Sequence, residues 1–226
     1  MGLSLTGGNG IKLQLLQQQL EHIYEVSTPL NVEHFVIDDT VLEQLKTCTR
    51  TSPEQLLVHE HDEGLDISLY LANYLLRQLK QDDPLDRLHR SNLAPFCTLL
   101  EGISHFLYLV WHAAHARPIT QLELELQAEV DKYIVAAALF AQQDNGRIPE
   151  HLPQWLFEQV QFATDLSYQE ARRYRLANTY AAKYCRQLHR YLMQIGDGVR
   201  ITRELRRFYR LSQQQKIHWI EQRQLH

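Results

Sequence analysis

Two long apolar segments, separated only by Arg117-Pro118, constrain this chain more than any other feature. Residues 93–115 read LAPFCTLLEGISHFLYLVWHAAH and residues 119–141 read ITQLELELQAEVDKYIVAAALFA. Each is long enough for a core helix of about six turns, and so short a connection makes them antiparallel neighbours. Yet they carry Glu101, His105, Tyr108, His112, Glu123, Glu125, Glu129 and Lys132. Ionisable groups inside a core helix are costly unless they are paired or bound. These residues therefore mark either a site or a buried polar network.

At ~100° per residue, Glu101, His105, Tyr108 and His112 share one stripe of the first helix, flanked by Ser104 and His115. The stripe holds no Lys, Arg or Gln, the usual residues of a solvated face, so it suits a lined cavity or an interface. The second helix has two apolar stripes with two polar ones between them, Glu123–Gln127–Asp131 and Glu125–Glu129–Lys132. A helix apolar on two sides is packed on two sides. One polar stripe is then expected to face water and the other the interior. Thr120 and Glu123 have capping-box spacing, which assigns Glu123 a local role and directs attention to Glu125, Glu129 and Lys132.

Glu101-x-x-x-His105 and Glu125-x-x-x-Glu129 each place two metal-competent groups one helical turn apart. Antiparallel neighbours would bring the four together around a divalent metal, as carboxylate sites are built inside bundles. The Glu-x-x-His spacing of di-iron bundles is absent. Without metal, Glu125 or Glu129 would serve as a general base with His105 as its acid partner. Tyr108, His112 and Lys132 would line such a site. The plainer alternative is a satisfied polar layer in which the glutamates bond Lys132, His105, Tyr108 or an arginine of a later helix.

Charge is unevenly distributed along the 226 residues. Residues 1–164 hold 10 Lys/Arg and 22 Asp/Glu, a net of −12, while residues 165–226 hold 13 and 5, a net of +8. The cations fall in two groups. Arg172, Arg175, Lys183, Arg186 and Arg190 share one face of an amphipathic helix spanning about 168–195. Arg200, Arg203, Arg206, Arg207 and Arg210 follow, interleaved with Phe208 and Tyr209. Arginine with aromatics is a composition used to bind single strands, although no RNP, KH or helix-turn-helix signature accompanies it.

The remaining pattern predicts a mainly α, bundle-like fold with a small β element within residues 30–70. Residues 1–10 read as a flexible tail and 11–226 as one helical domain, with a small subregion at 11–70. Thr40 with Glu43 predicts a helix to about residue 49, and Asp83-Pro84 a short helix ending before Ser91. Residues 56–70 read either as two strands about an Asp-Glu-Gly turn or as a loop entering a helix. Ser167 with Glu170 opens the long basic helix and Gly196 ends it. The cluster from His59 to Glu63 lacks ligand spacing and reads as a solvated turn.

Cys48, Cys97 and Cys185 form no CxxC pair and suit free thiols in a reducing compartment, so a cytoplasmic location is expected. The start MGLSLT matches a myristoylation pattern only formally. The uncharged run 102–116 is too short for a membrane span, and no secretory signal is visible. No Walker loop, GxGxxG or GxSxG is present, which leaves nucleotide cofactors and serine hydrolysis without support. Three functions follow as expectations. The first is a binding or self-associating protein, meeting a protein partner or its own copy through complementary acidic and arginine-rich faces. The second is an enzyme with a metal or acid–base site at Glu101, His105, Glu125 and Glu129. The third is a single-strand binder using the arginines from Arg200 to Arg210.

Overall fold

A computed structural model of the chain describes residues 12–45, 52–62, 64–158 and 166–222. Nine α-helices and a three-stranded sheet make up the described residues, a mainly α fold with a small β element. Cys48, the N-terminal pattern and residues 1–10 lie outside them.

The two apolar segments form α4 (Arg90–Ala114) and α5 (Gln121–Gln143), and α5 packs against both α4 and the long basic helix α7 (Tyr168–Ile195). By length and composition α4 could cross a membrane, with a mean hydropathy of 1.4 over its most apolar stretch. Yet 72% of that stretch is buried within the fold. The N-terminal helix α1 (Leu13–Tyr24) lies across α4 and against α8 (Gly198–Tyr209). The last helix, α9 (Gln213–Gln222), returns onto α7. Buried side chains from Leu13 to Ile220 belong to one continuous apolar core.

The ambiguous stretch near residue 60 is a β-hairpin. Strand β2 (Glu54–His61) pairs antiparallel with β3 (Gly64–Leu71), and the short β1 (Val36–Ile37) adds in parallel on the other side of β3. The inner end of the hairpin packs on α4, while its tip is exposed. His59 and His61 lie there, their rings 6.2 Å apart, as expected of a solvated turn.

Several boundaries differ from expectation, each because another side chain supplies the cap. Helix α2 (Asp39–Leu45) is opened by Asp38, whose Oδ1 accepts from Val41 N at 3.0 Å, and Thr40 lies inside it. Asp83 makes an Asx turn, accepting from Leu85 N at 2.8 Å, so no separate helix forms there. Beyond α3 (Asn73–Gln81), α4 starts at Arg90. Asn92 Oδ1 accepts from His89 N at 2.9 Å and its amide donates to Arg87 O at 2.9 Å. At the other end of the chain the local rules hold. Ser167 and Glu170 form the reciprocal box that opens α7, and Gly196 closes it at φ 70°, where a Cβ would be strained. Pro153 lies in the first turn of the short helix α6 (Leu152–Phe157), which Glu158 follows as its C-cap.

Candidate metal centre between the hairpin and the central helices

The faces of α4 and α5 that meet each other carry three separate polar groupings. Both polar stripes of α5 turn inward, contrary to the expectation that one faces water: Glu123, Gln127 and Asp131 are the more deeply buried, at 2% exposure or less.

The first grouping surrounds His105. Its Nδ1 lies 3.5 Å from Glu54 Oε1 and its Nε2 lies 3.5 Å from Glu125 Oε2, and all three side chains are more than nine-tenths buried. Glu101 and Glu129 meet Lys132 Nζ at 3.0 and 2.7 Å, and Arg173 Nε of α7 comes within 3.6 Å of Glu125 Oε1. Four carboxylates from three elements thus converge with one imidazole, one ammonium and one guanidinium. At 3.5 Å the histidine contacts are ion pairs rather than good hydrogen bonds. Glu54 Oε1 and His105 Nε2 accordingly have no hydrogen-bond partner although they are buried.

The electrostatics follow from crowding. Burial pulls the His105 imidazolium down, but the carboxylates of Glu125 and Glu54 on either side outweigh it and hold the ring well above the usual histidine range. Burial raises Glu54, with His105 opposing. For Glu101, burial acts upward, but Lys132 and His105 prevail and hold it below the ordinary carboxylate value. Glu129 remains raised by burial despite Lys132. Cys97, beside Lys132 and Glu129, is a half-buried free thiol pushed up to about 12 by burial.

Glu54, which the sequence reading did not include, enters because Gly102 stands opposite it. A Cβ at Gly102 would fall 2.8 Å from Glu54 Cγ and 2.8 Å from Leu69 Cδ1. The missing side chain lets the hairpin approach α4 closely enough for its first residue to reach His105. Of the four residues expected to bind metal, Glu101 and His105 group with Glu54, with donor atoms all within 4.8 Å of one another. Glu125 joins through the other histidine nitrogen, whereas Glu129 faces Lys132.

The second grouping centres on Asp131. It accepts from Ser104 Oγ at 2.5 Å, from Gln127 Nε2 at 2.8 Å and from the Tyr24 hydroxyl of α1, and burial pushes it up to about 6. Gln127 in turn accepts from Lys216 of α9, an ammonium with no exposed surface, held 4.5 Å from the Phe208 ring centre and 4.9 Å from that of Tyr108. Burial pushes Lys216 down to about 7. A lysine whose folded value lies below its unfolded value penalises folding below both and ceases to do so as pH rises through the interval. The stability of the native protein relative to Lys216→Met is therefore expected to increase from pH 7 to 9, by on the order of 2 kcal/mol. Denaturant midpoints at the two pH values check this, and parallel behaviour of both proteins would show that Lys216 does not titrate there.

The third grouping takes the outer half of the α4 stripe. Tyr108 OH and Arg117 Nη2 each donate to Glu123 Oε1 at 2.5 Å, and Gln213 N donates to Glu123 Oε2 at 3.0 Å. Thr120 accepts from Glu123 N at 3.1 Å, but the glutamate side chain does not return the bond. Glu123 is thus a junction between α4, α5 and α9 instead of the plain capping residue expected. His112, beside Arg117, is pushed down to about 3 by burial and by that guanidinium. The stripe Glu101, His105, Tyr108, His112 is therefore divided between two groupings, with Tyr108 and His112 away from the glutamates of the first.

The arginines of α8 serve the fold in part. Arg206 Nε donates to Ile23 O at 3.1 Å, and Arg210 donates to Tyr24 O and Glu25 O at 2.9 and 3.0 Å. Together they close the C-terminus of α1. Arg207 lies 4.3 Å from the Trp219 ring centre, Arg200 stacks over Tyr191 at 5.1 Å, and Arg203 is exposed. Phe208 and Tyr209 are core residues at 0% and 1% exposure, so neither is available to stack on a base. No family model, curated protein or solved structure matches this chain.

Proposed function

We propose that this is a metal-binding protein whose Glu54, Glu101 and His105 hold one divalent transition-metal ion between the hairpin and α4, with Glu125 of α5 beside the other nitrogen of the His105 ring. The observation that carries the reading is the grouping of three donors within 4.8 Å of one another, one of them, Glu54 Oε1, without a hydrogen bond on a side chain more than nine-tenths buried. An unsatisfied buried oxygen costs free energy that metal coordination would recover, the ion displacing the proton that the flanking carboxylates hold on His105. Donor atoms bound at 2.0–2.2 Å to a common ion lie roughly 3.3–4.4 Å apart, so donors now within 4.8 Å need to draw in by at most about 1.5 Å. One imidazole among carboxylates suits manganese, iron or zinc better than calcium or magnesium. Lys132 and Arg173 offset the charge of Glu101, Glu129 and Glu125, which keeps four carboxylates tolerable in one interior.

Titration calorimetry of chelator-treated protein with Mn²⁺, Co²⁺ and Zn²⁺ tests this. One equivalent is expected to bind, and at a hundredfold excess over Kd it adds about 2.7 kcal/mol of stability. Glu54→Gln and His105→Gln should each weaken binding at least tenfold, whereas His61→Ala on the exposed hairpin should not. No saturable binding of any of the three ions, or equal binding by His105→Gln, would overturn the reading. Arg206 and Arg210, two of the cations expected to meet a partner, are engaged within the chain.

A further inference from the structure

We propose that the outer side of α7 is a track for the phosphate backbone of a single-stranded nucleic acid. Tyr168, Arg172, Arg175, Lys183, Arg186 and Arg190 fall at helical spacing along one line, and all six are exposed. From Tyr168 to Arg190 this line runs about 33 Å. Residues 171–195 contain no Asp or Glu. Among the described residues only Arg186 of the five cations meets a carboxylate, Glu158 at 2.8 Å. Apart from that one pair this side takes no part in the core, to which α7 contributes through Ala177, Ala181, Tyr184 and Leu188 on the other.

A straight row of cations one or two helical turns apart, mostly arginine, matches a linear array of phosphates, for which the guanidinium fork is suited. Tyr168, 81% exposed at the head of the row, adds a ring on which a base can stack, and stacking is open only to an unpaired strand. This is what selects a single strand over a duplex and over an acidic protein surface. The exposed row itself carries five positive charges and no Asp or Glu, although the molecule as a whole is acidic. The inference concerns α7, not the arginines of α8, and does not depend on the metal centre.

Anisotropy of a labelled 12-nucleotide single strand of mixed sequence, with chelator present throughout, provides the test. Four unpaired cations predict a slope of log K against log salt near −3, or about a fiftyfold loss from 50 to 200 mM salt. The exposed triple variant R172E/R175E/K183E, its fold checked by circular dichroism, should bind at least tenfold more weakly. Tyr168→Ala should weaken binding while leaving the salt slope unchanged. Absence of binding at 50 mM salt, or equal binding by the triple variant, would overturn the proposal. So would equal affinity for a duplex with no effect of Tyr168→Ala, or displacement of the strand by polyglutamate at equal charge.

Discussion

Arg117→Ala is expected to destabilise the protein by about 2–3 kcal/mol, less than the ~3–5 kcal/mol of a fully buried ion pair because the Arg117 side chain is 24% exposed. The carboxylate it leaves behind, Glu123, is 2% exposed and shared between three helices. With the guanidinium gone, Glu123 retains the Tyr108 hydroxyl, Gln213 N and the more distant charge of Lys216, and Leu211 O loses its donor at 2.9 Å. For a chain of this size the loss corresponds to a melting temperature lower by roughly 4–12 °C. Glu123→Gln in the Arg117→Ala background should restore part of it, because an amide tolerates burial that a lone carboxylate does not. Thermal melts of the two single variants and the double variant give the coupling. A loss under about 1 kcal/mol for Arg117→Ala would place it with exposed ion pairs, and Glu123 would then be stabilised chiefly by the tyrosine and the backbone.

The parts of this fold legible in the sequence are those decided within one turn of chain. Ser167 and Glu170 bond each other regardless of what α7 packs on, and Gly196 ends that helix because a backbone at φ 70° disfavours a side chain. Glu101, His105, Glu125 and Glu129 were conspicuous because charged groups interrupt otherwise apolar helices. What was illegible depends on residues distant in sequence. Glu123 has the spacing of a capping box, yet Arg117 and Gln213 claim its carboxylate. Asp131 and Gln127 read as a water-facing stripe, but Tyr24 from α1 and Lys216 from α9 cover them, partners 107 and 89 residues away. Arg206 and Arg210 have the same composition whether they face phosphate or cap another helix, and only the arrival of α1 beside α8 decides it. Glu54 gave no helical signal because it begins a strand.

Gly102→Ala is expected to separate the metal centre from the stability of the fold. Two opposed terms of similar size act on stability. Replacing glycine by alanine inside α4 gains about 1 kcal/mol of helix propensity. Forcing a methyl group to 2.8 Å from Glu54 Cγ and Leu69 Cδ1 costs about 1–3 kcal/mol of overpacking. The net change is a loss of at most about 2 kcal/mol, a few degrees in the melting temperature. The site has no such compensation. Leu69 is fully buried and held in register with Leu56 and Val36, so relief of the clash falls on the hairpin as a whole or on the Glu54 side chain. Either movement carries the carboxylate away from His105. Divalent-ion affinity should therefore fall at least tenfold, as in Glu54→Gln, with little further loss when the two changes are combined, because both remove the same ligand. If Glu54→Gln weakens binding and Gly102→Ala does not, the hairpin yields without moving Glu54, and the close approach at Gly102 serves core packing alone. Gly102→Val, with two more methyl groups in the same space and none of alanine's helix propensity, should lose both affinity and stability.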